Sequence, residues 1–363
     1  MRTGYARAGG AVAAAALAWS CVGEPRESLT AVSWGGSYGR AVTRGYIEPF
    51  MDGTGIEVRL EDYNGGLAQV RAQAESGNVH WDVVDLEIAD AVSGCDEGLL
   101  ERIDPATLAA APDGTPATDD FLPDTLLECS VGTLFYSTVF AYNDGRMPGE
   151  KPATLEDFFD LERFPGRRGM RRTPLVNLEF ALMADGVPVD AVYEVLDTPE
   201  GLDRALRKLD SIKPEVVWWE AGAQPPQMLA DGEVVMSTAY NGRIFNAQVL
   251  EEQPLVIVWD GQVLDVGQLG IVAGTRNLEA ALEFVRFATT ARSMAAVSSH
   301  IAYSPARRSG LAFVGTHADT GVEMMPHMPT YAENTRRVLN SDWLWWSDQM
   351  DAMNERFSAW LAQ

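Results

Sequence analysis

The fold is decided by the stretch Leu29-Thr-Ala-Val-Ser-Trp-Gly-Gly-Ser-Tyr38. Its first half predicts a buried strand, and Gly35-Gly36 predicts a turn into an amphipathic helix that runs to Phe50. A second strand is expected to begin at Ile56. In an open α/β sheet, ligands bind at the carboxyl ends of the strands. Trp34 and the hydroxyls beside it therefore lie where one wall of a small-molecule site is expected.

Strands and helices continue to alternate beyond this stretch. A helix is predicted over Leu67–Ala74 and a strand over Trp81–Glu87. The resulting βαβαβ order predicts a parallel sheet with right-handed crossovers. A chain of 363 residues is long for one core and suits two lobes. The expected fold class is therefore α/β with two lobes.

The middle of the chain holds a run that is too long for one ordinary strand. This run, Gly132–Tyr142, is β-branched and aromatic, and we expect it to pass from one lobe to the other. Two separate strands, Val256–Trp259 and Gln268–Ala273, are expected to lead back to the first lobe. The tail, Asp342–Leu361, predicts an aromatic-rich helix that packs on a lobe.

The N-terminus is typical of a secretion signal. Arg2 and Arg7 precede a short apolar core at Ala11–Leu17, which predicts a signal peptide over residues 1–20 and a periplasmic location. The following Cys21 lies in an imperfect lipoprotein-processing box, so lipidation at Cys21 and simple cleavage with release both stay open. After the N-terminus, no apolar run approaches the roughly 20 residues that span a bilayer.

The chain is strongly acidic. Without residues 1–20, which carry two arginines and no acids, 26 basic side chains stand against 52 acidic ones, a net charge of −26. Nucleic acids and anionic lipids require basic surface, so both are excluded as expected partners. The charge agrees with a cationic ligand, although solubility or a salty habitat explains it equally well.

Two cysteines remain besides Cys21. In an exported protein, Cys95 and Cys129 are expected to form a disulfide, with two buried free thiols as the alternative. No third ligand lies nearby in the sequence, so a zinc site is not expected.

Signatures of catalysis are scarce. The sequence has no phosphate loop, no nucleophile elbow and no Gly-x-Gly-x-x-Gly motif, and its four histidines lack metal-ligand spacing. We therefore expect no enzyme, no metal and no cofactor. One rival hypothesis is an exported hydrolase that uses Glu87 with Asp85 or Asp265 as acid and base.

Aromatic and charged residues gather at the predicted strand ends. They are Trp34, Asp85, Glu87, Trp218, Trp219, Glu220, Tyr240, Asn241, Arg243, Asp260 and Asp265. Aromatic faces beside a carboxylate suit an ammonium or guanidinium group. Other interpretations stay open, since Trp34 could fill the core and Glu87 could cap the following helix. Arg243 could form a structural ion pair with Asp260 or Asp265.

Two sets of neighbouring residues need separate interpretation. Trp218 and Trp219 point to opposite faces of one predicted strand, so at most one faces a cleft, and we favour Trp219. A basic cluster is expected to form a solvated loop face, with docking to a membrane partner as the alternative. Its members are Arg167, Arg168, Arg171 and Arg172.

Short motifs follow one another along residues 28–362. They are Ser33-Trp-Gly-Gly-Ser37, Pro49-Phe50 with Thr54-Gly-Ile56, Trp81-Asp-Val-Val84, Gly98-Leu-Leu100 with Ile103-Asp104, Leu155-Glu-Asp-Phe-Phe-Asp160 with Phe164-Pro-Gly166, Ala239-Tyr-Asn-Gly-Arg243, Tyr303-Ser-Pro305 and Glu355-Arg-Phe-Ser-Ala-Trp-Leu361. No single motif is specific. In order and spacing, however, the chain resembles the extracytoplasmic solute-binding proteins of ABC importers, in the spermidine/putrescine-binding family.

This resemblance implies a type II periplasmic-binding-protein fold, with two lobes, crossing hinge strands and a ligand cleft between the lobes. The first lobe would take residues 28–138 plus 266–305, and the second would take residues 139–265 plus 306–363. It implies no catalysis. The lobes would close on a small cationic or zwitterionic solute. The closed monomer would then dock on an ABC permease in the inner membrane.

The strand-end pattern and the resemblance together predict a set of ligand-binding residues. They are Ser33, Trp34, Ser37, Asp85, Glu87, Glu179, Trp219, Tyr240, Arg243 and Asp265. In the polyamine binders of this family, carboxylates on both lobes hold the amines and aromatic rings clamp the methylene chain. Tyr240 and Trp34 match such clamping rings. The helix that begins near Glu179, however, lacks the expected acidic pair, and only Glu179 could substitute.

A polyamine or a related small amine is the leading prediction for the ligand. Arg243 adds a cation beside the carboxylates, which favours a ligand with both an ammonium and a carboxylate group. The alternative is therefore an amino-acid-like zwitterion such as γ-aminobutyrate. A receptor that presents its ligand to a membrane sensor is a further alternative, because it would use the same closed form.

Overall fold

The computed structural model describes residues 1–4 and 28–363. The predicted signal peptide over residues 1–20, apart from its first four residues, and the predicted lipidation of Cys21 lie outside this part of the chain. Within it, no helix combines the length and the apolar character needed to cross a membrane.

In the described residues, ten strands join in one mixed sheet in the order β2-β1-β3-β8-β4-β7-β5-β6, with β9 beside β4 and β10 beside β8. The strands are β1 Ser28–Ser33, β2 Glu57–Asp62, β3 Val83–Glu87, β4 Ser130–Asn143, β5 Arg168–Arg171, β6 Val216–Trp219, β7 Met236–Tyr240, β8 Leu255–Ile271, β9 Ser304–Pro305 and β10 Val338–Asn340.

Helices cover the sheet. They are α1 Gly36–Val42, α2 Glu48–Thr54, α3 Ala68–Ser76, α4 Ile88–Asp96, α5 Ala117–Asp120, α6 Leu155–Phe159, α7 Asn177–Ala184, α8 Val192–Leu196, α9 Pro199–Asp210, α10 Gln224–Asp231, α11 Asn241–Leu250, α12 Leu278–Ala288, α13 Ala291–Ser298, α14 Arg308–Leu311 and α15 Trp343–Leu361. A π-helical turn at Thr43–Ile47 joins α1 to α2, so the single helix predicted up to Phe50 is interrupted.

The opening unit folds as its residue pattern predicts. β1 pairs in parallel with β2 on one side and with β3 on the other. Leu29 and Val32 of β1 are buried, and Trp34 follows at the carboxyl end of the strand. The βαβαβ prediction is confirmed, and it places the ends of β1 and β3 side by side.

Two long antiparallel strands connect the two halves of the sheet. The first part of β4 pairs with the C-terminal part of β8, and the last residues of β4 pair with the start of β8. The prediction of two separate strands between Val256 and Ala273 is wrong, because β8 runs as one strand from Leu255 to Ile271. Its pairing with β4 shifts register between Val258 and Val263, around Gly261, which adopts a positive φ of 74°. The lobe boundaries proposed at residues 138 and 265 fall inside these strands and stay a prediction.

Two large hydrophobic clusters hold the halves together. One surrounds β1, β3 and α12 and includes Phe50 and Phe284, whose rings meet edge to face at 5.2 Å. The other surrounds α6, α7 and α15 and includes Phe158 and Trp346. Burial of each such ring stabilises the fold by about 1.5–3 kcal/mol. The strand ends between the clusters are thereby held in fixed positions.

A disulfide joins Cys95, in α4, to Cys129, which lies just before β4. The two Cα atoms are 5.5 Å apart, within the range that disulfides require. The bond ties the helix after β3 to the start of the first crossing strand. Both segments border the site described next.

Candidate functional site

A pocket lies where the strand ends meet, and its empty space, including the part open to solvent, is about 380 Å³. Its lining residues are Trp34, Tyr38, Asp85, Leu86, Glu87, Leu134, Tyr136, Tyr240, Arg243, Gly267 and Tyr303. They come from the ends of β1, β3 and β7, from within β4 and β8, and from the first turns of α1 and α11, while Tyr303 directly precedes β9. We call this cavity the first chamber.

A second pocket adjoins the first, and its empty space, including the part open to solvent, is about 370 Å³. Glu87, Tyr136 and Tyr240 line both cavities. The remaining lining residues of this second chamber are Thr138, Arg171, Leu175, Val176, Asn177, Trp219, Thr238, Val263 and Asp265. The two chambers therefore form one cleft, with β1 and β3 on one side and β5, β6 and β7 on the other.

Aromatic rings line the cleft from end to end. Trp219 contacts Tyr240 at 5.9 Å between ring centroids, and Tyr240 contacts Tyr136 at 5.5 Å. Tyr136 then contacts Tyr303 at 6.1 Å, and Tyr303 contacts Tyr38 at 5.8 Å. Such a wall offers apolar faces to a methylene chain and negative ring faces to a cation.

One ion pair spans the cleft between its two sides. Arg171, at the end of β5, donates to Glu87, at the end of β3, with 2.6 Å between Nη1 and Oε1. The Arg171 guanidinium also lies 5.9 Å from the Trp34 ring and 6.0 Å from the Tyr240 ring. Burial opposes the charge of Arg171, but the attraction of Glu87 outweighs it and raises the pKa of the guanidinium above its usual value. The two charges therefore neutralise each other.

Arg243 makes a different connection across the cleft. Its Nη2 donates to the carbonyl oxygen of Trp34 at 2.9 Å, and its Nη1 donates to that of Gly35 at 3.1 Å. A Cβ atom on Gly36 would lie 2.6 Å from Nη1, so a glycine is required there for the guanidinium to approach. In the described residues, no carboxylate lies within 4 Å of the Arg243 guanidinium. Its positive charge is therefore not neutralised by an ion pair.

Two buried carboxyl groups border the chambers. Burial raises the pKa of Asp85 to about 6, although hydrogen bonds from Tyr38 and Ser33 oppose the rise. Burial, together with repulsion from Glu87, raises the pKa of Asp265 to about 8. Asp265 accepts a hydrogen bond from the backbone N–H of Val266 at 2.7 Å. At neutral pH, the empty cleft therefore holds Asp265 largely in its protonated form.

Some buried polar atoms of the lining have no hydrogen-bond partner in the described part of the chain. They include Nε of Arg243 in the first chamber, and Nε1 of Trp219 and Oγ1 of Thr238 in the second. Buried polar groups are normally paired with protein or ordered water, so these groups have hydrogen-bonding capacity available to a polar ligand. The cleft can supply donors, acceptors and apolar faces to one small molecule.

Most of the residues proposed for the site come together here. The residues that line the cleft are Trp34, Asp85, Glu87, Trp219, Tyr240, Arg243 and Asp265. Ser33 lies behind Asp85 and donates to its Oδ2 at 3.0 Å. Ser37 is half-buried in α1 and lines neither chamber. Trp218 packs on Phe357 and Trp360, away from the cleft.

Glu179 is not part of the cleft lining, contrary to the expectation that it binds the ligand. It is fully buried in α7, where its Oε1 accepts from Trp346 Nε1 at 2.6 Å and from the Tyr193 hydroxyl at 3.2 Å. The indole of α15 fills the space toward which the carboxyl group points. Burial raises the pKa of Glu179 to about 7, although those hydrogen bonds oppose the rise.

Glu179→Gln is expected to make the protein less sensitive to pH. The folded-state pKa is raised, so the stability that Glu179 contributes is present below its unfolded pKa near 4.5 and is lost as the pH rises through about 7. Glutamine accepts the same hydrogen bonds and never ionises. Between pH 5 and pH 8, the wild type should lose about 2 kcal/mol more unfolding free energy than the variant. Urea titrations at both pH values measure the difference, and parallel pH profiles would contradict it.

The solvated loop face predicted for the arginine cluster is wrong for two of its members. Arg168 is fully buried in β5, where its guanidinium donates to several backbone carbonyls, including that of Phe158 at 2.7 Å. Arg171 enters the cleft, as described above. Both belong to a strand that alternates its faces, which a list of neighbouring basic residues does not show. Only Arg167 and Arg172 are exposed at their side chains.

The alternatives for other residues are also decided. Glu87 occupies the N-cap position of α4, but its side chain makes no capping hydrogen bond and turns to Arg171 instead. Arg243 does not pair with Asp260, which binds Arg337 at 2.9 Å.

Sequence reasoning missed the tyrosines at 38, 136 and 303, because their predicted positions were inside a helix, a crossing strand and a loop. The β4 run, rich in aromatic residues, was the one available signal.

Two crossing strands, a sheet in two halves and an aromatic, charged cleft at the crossing define the class of two-lobed solute-binding proteins. A family model described as the bacterial extracellular solute-binding protein family matches residues 45–330, and the chain belongs to this family. The resemblance inferred from the motifs is confirmed at this level.

Several relatives match nearly the whole chain. A γ-aminobutyric acid (GABA)-binding protein of Pseudomonas aeruginosa is 42% identical over 353 residues, which cover 97% of this chain and 94% of the relative. The solved binding protein MotA of Agrobacterium tumefaciens B6, in complex with glucopine, is 28% identical with a TM-score of 0.83, covering 92% of this chain and 99% of that one. A solved GABA receptor is 29% identical with a TM-score of 0.78, covering 93% and 98%.

The comparisons do not support the polyamine prediction. A spermidine/putrescine-binding protein of Streptococcus pneumoniae is 16% identical with a TM-score of 0.64, covering 92% of this chain and 99% of that one. At this identity the likeness shows the fold alone. The spermidine/putrescine branch is therefore replaced as the leading hypothesis by the zwitterion alternative.

Proposed function

We propose that the cleft binds a zwitterionic ω-amino acid, with GABA as the best candidate. One observation carries the proposal: the first chamber holds a cation, Arg243, and the second chamber holds an acid, Asp265, and neither has an ion-pair partner within 4 Å among the described residues. The Glu87–Arg171 pair is already neutral. A ligand with one carboxylate and one ammonium group would satisfy both unpaired residues.

Each end of the ligand has its own place in this proposal. The carboxylate lies in the first chamber, where Arg243 supplies a charge-assisted hydrogen bond. The ammonium lies in the second chamber beside Asp265, whose proton leaves as the ammonium arrives. The methylene chain lies against Tyr136 and Tyr240, the two rings that border both chambers.

The relatives support the same ligand class. One relative is named for GABA binding at 42% identity, and a solved relative is a GABA receptor. A GABA ligand also resolves the conflict within the sequence-based prediction, since Arg243 is out of place in a polyamine site. The guanidinium of Arg243, which no ion pair among the described residues neutralises, would repel a dication.

As a member of its family, the protein would deliver this solute to an ABC permease from the periplasm. Closure of the two halves on the ligand would expose a surface that the permease recognises. The hydrolase hypothesis finds no support in the cleft, because Glu87, its expected acid or base, is held in an ion pair by Arg171. The role of a receptor for a membrane sensor stays the alternative, since it uses the same bound form.

Thermal unfolding in the presence of candidate solutes tests the proposal. GABA and its homologues with one methylene fewer or more should raise the melting temperature, while putrescine, spermidine and butyrate should not. A ligand at 100 times its Kd adds about 2.7 kcal/mol of stability to the folded protein. A shift with putrescine and none with any ω-amino acid would refute the proposal.

A further inference from the structure

Arg171 occupies a position that would otherwise suit a ligand amine. A carboxylate, Glu87, and two aromatic rings, Trp34 and Tyr240, surround one point in the cleft. These are the groups from which a polyamine clamp was expected. The point is filled by the chain itself, because the Arg171 guanidinium lies 2.6 Å from Glu87 and about equally far from the two rings.

We infer that Arg171 is a specificity-determining residue that excludes diamines: its guanidinium takes the cation position formed by Trp34, Tyr240 and Glu87 and leaves the second chamber with one free acid for a ligand ammonium. The inference rests on the proposed function, because that free acid is Asp265.

The position of Glu87 explains why Arg171 alone is sufficient to exclude diamines. Glu87 and Asp265 line the same second chamber, and the charge of Glu87 is close enough to raise the pKa of Asp265. Two ionised carboxylates in one chamber suit two ammonium groups joined by a short chain. Arg171 neutralises one of the two and adds repulsion against a second cation.

The surroundings of Arg171 keep it in place. Its side chain is 18% exposed, and that of Glu87 is 11% exposed, so solvent weakens the pair little. The Nη2 atom also approaches the carbonyl oxygen of Asn64 at 3.5 Å. A free diamine would have to displace a cation that is held within the same chain, which is unfavourable at low ligand concentration.

Methionine is the appropriate replacement, since Arg171→Met keeps an unbranched apolar stem and removes the guanidinium and its charge. Calorimetric titration should show putrescine binding about tenfold or more tighter to this variant than to the wild type. The second ammonium would then take the place of the guanidinium. Arg171→Met combined with Glu87→Gln should lose that gain, because the carboxylate partner is removed.

Two matched variants control for nonspecific effects. Arg171→Lys retains a cation at the same position and should not gain putrescine binding. Arg172→Met removes a charge from the adjacent residue, whose side chain is 59% exposed, and should leave putrescine binding unchanged. A folded Arg171→Met without increased putrescine affinity would overturn the inference, as would an equal gain in Arg171→Lys or Arg172→Met.

The wild type provides a test that needs no variant to fold. If Arg171→Met does not fold cooperatively, the wild type is titrated with putrescine and with GABA instead. A putrescine affinity within about tenfold of the GABA affinity overturns the inference. A putrescine affinity more than about tenfold weaker supports it. Failure of the proposed function has a different signature. If the proposed function is wrong, the wild type binds no ω-amino acid. The change in putrescine affinity from the wild type to Arg171→Met does not depend on GABA binding, so it still tests the inference about Arg171.

Discussion

Replacing Arg243 by glutamine is expected to weaken GABA binding by about 100-fold or more. The guanidinium lies in the first chamber and has no carboxylate partner among the described residues, so the ligand would supply one. A neutral amide cannot provide the charge-assisted hydrogen bond that a guanidinium gives to a carboxylate. Isothermal titration calorimetry on the wild type and the variant measures the loss.

Arg243 also connects the two sides of the cleft through the carbonyls of Trp34 and Gly35, so a ligand contact must be separated from that role. n-Butylamine keeps the ammonium and the methylene chain of GABA but lacks the carboxylate. Its binding should fall much less than that of GABA in Arg243→Gln. Equal losses for both ligands would contradict the assignment of the carboxylate to Arg243.

An exposed arginine close to the cleft in sequence provides a control variant. Arg172 forms an exposed ion pair with Glu220 at 3.4 Å, and both side chains are more than half exposed. Exposed pairs contribute little. Arg172→Gln should therefore change GABA affinity by no more than about twofold.

Replacing Asp265 by asparagine is expected to weaken GABA binding by about 100-fold at pH 8.5 and far less at pH 6. In the empty protein, burial and the nearby Glu87 raise the pKa of Asp265 to about 8. The group is therefore mostly protonated at pH 6, where it resembles an asparagine. At pH 8.5 it is mostly ionised and can form an ion pair with the ligand ammonium.

The sign of the pH dependence follows from the same linkage. An adjacent ammonium lowers the pKa of Asp265, so binding releases a proton wherever the free protein holds one. Wild-type affinity for GABA should then rise with pH, by at most about tenfold per unit, until the pH passes about 8. Asp85, whose pKa is about 6, adds to the pH dependence of GABA affinity only at the acidic end of this range.

Proton release can be measured directly. Calorimetric titrations in two buffers of different ionisation enthalpy should show nearly one proton released per GABA bound at pH 7, and none in Asp265→Asn. Glu179, also with a raised pKa, lies behind Trp346 and should not contribute to binding. A wild-type affinity that is flat from pH 6 to pH 8.5 would contradict the role given to Asp265.

Local patterns predicted the architecture well. The strand at β1, the glycine turn and the strand at β3 are short-range features, and each carries its own periodicity or turn residues. The strand ends then meet at one edge because parallel strands must do so. That rule brings Trp34 and Glu87 together, whereas Tyr240, at the end of β7, was assigned to the same site through the family resemblance.

The ligand class could not be predicted in the same way, because it depends on which charged side chains of the cleft form ion pairs with each other. Arg171 lies 84 positions from Glu87 in the sequence, and nothing in the local pattern distinguishes it from the exposed Arg172 beside it. Glu179 was misassigned for a similar reason, since its hydrogen-bond partner Trp346 comes from the last helix. Long-range pairing, rather than residue type, separates the ligand-binding charges from the structural ones.

A crystal structure of the protein grown with saturating GABA tests the central claim most directly. The ligand is expected in the cleft, with its carboxylate within hydrogen-bond distance of the Arg243 guanidinium and its ammonium within hydrogen-bond distance of Asp265, while Arg171 stays paired with Glu87. An empty cleft, a ligand bound in the opposite orientation or an ammonium in place of the Arg171 guanidinium would contradict this account.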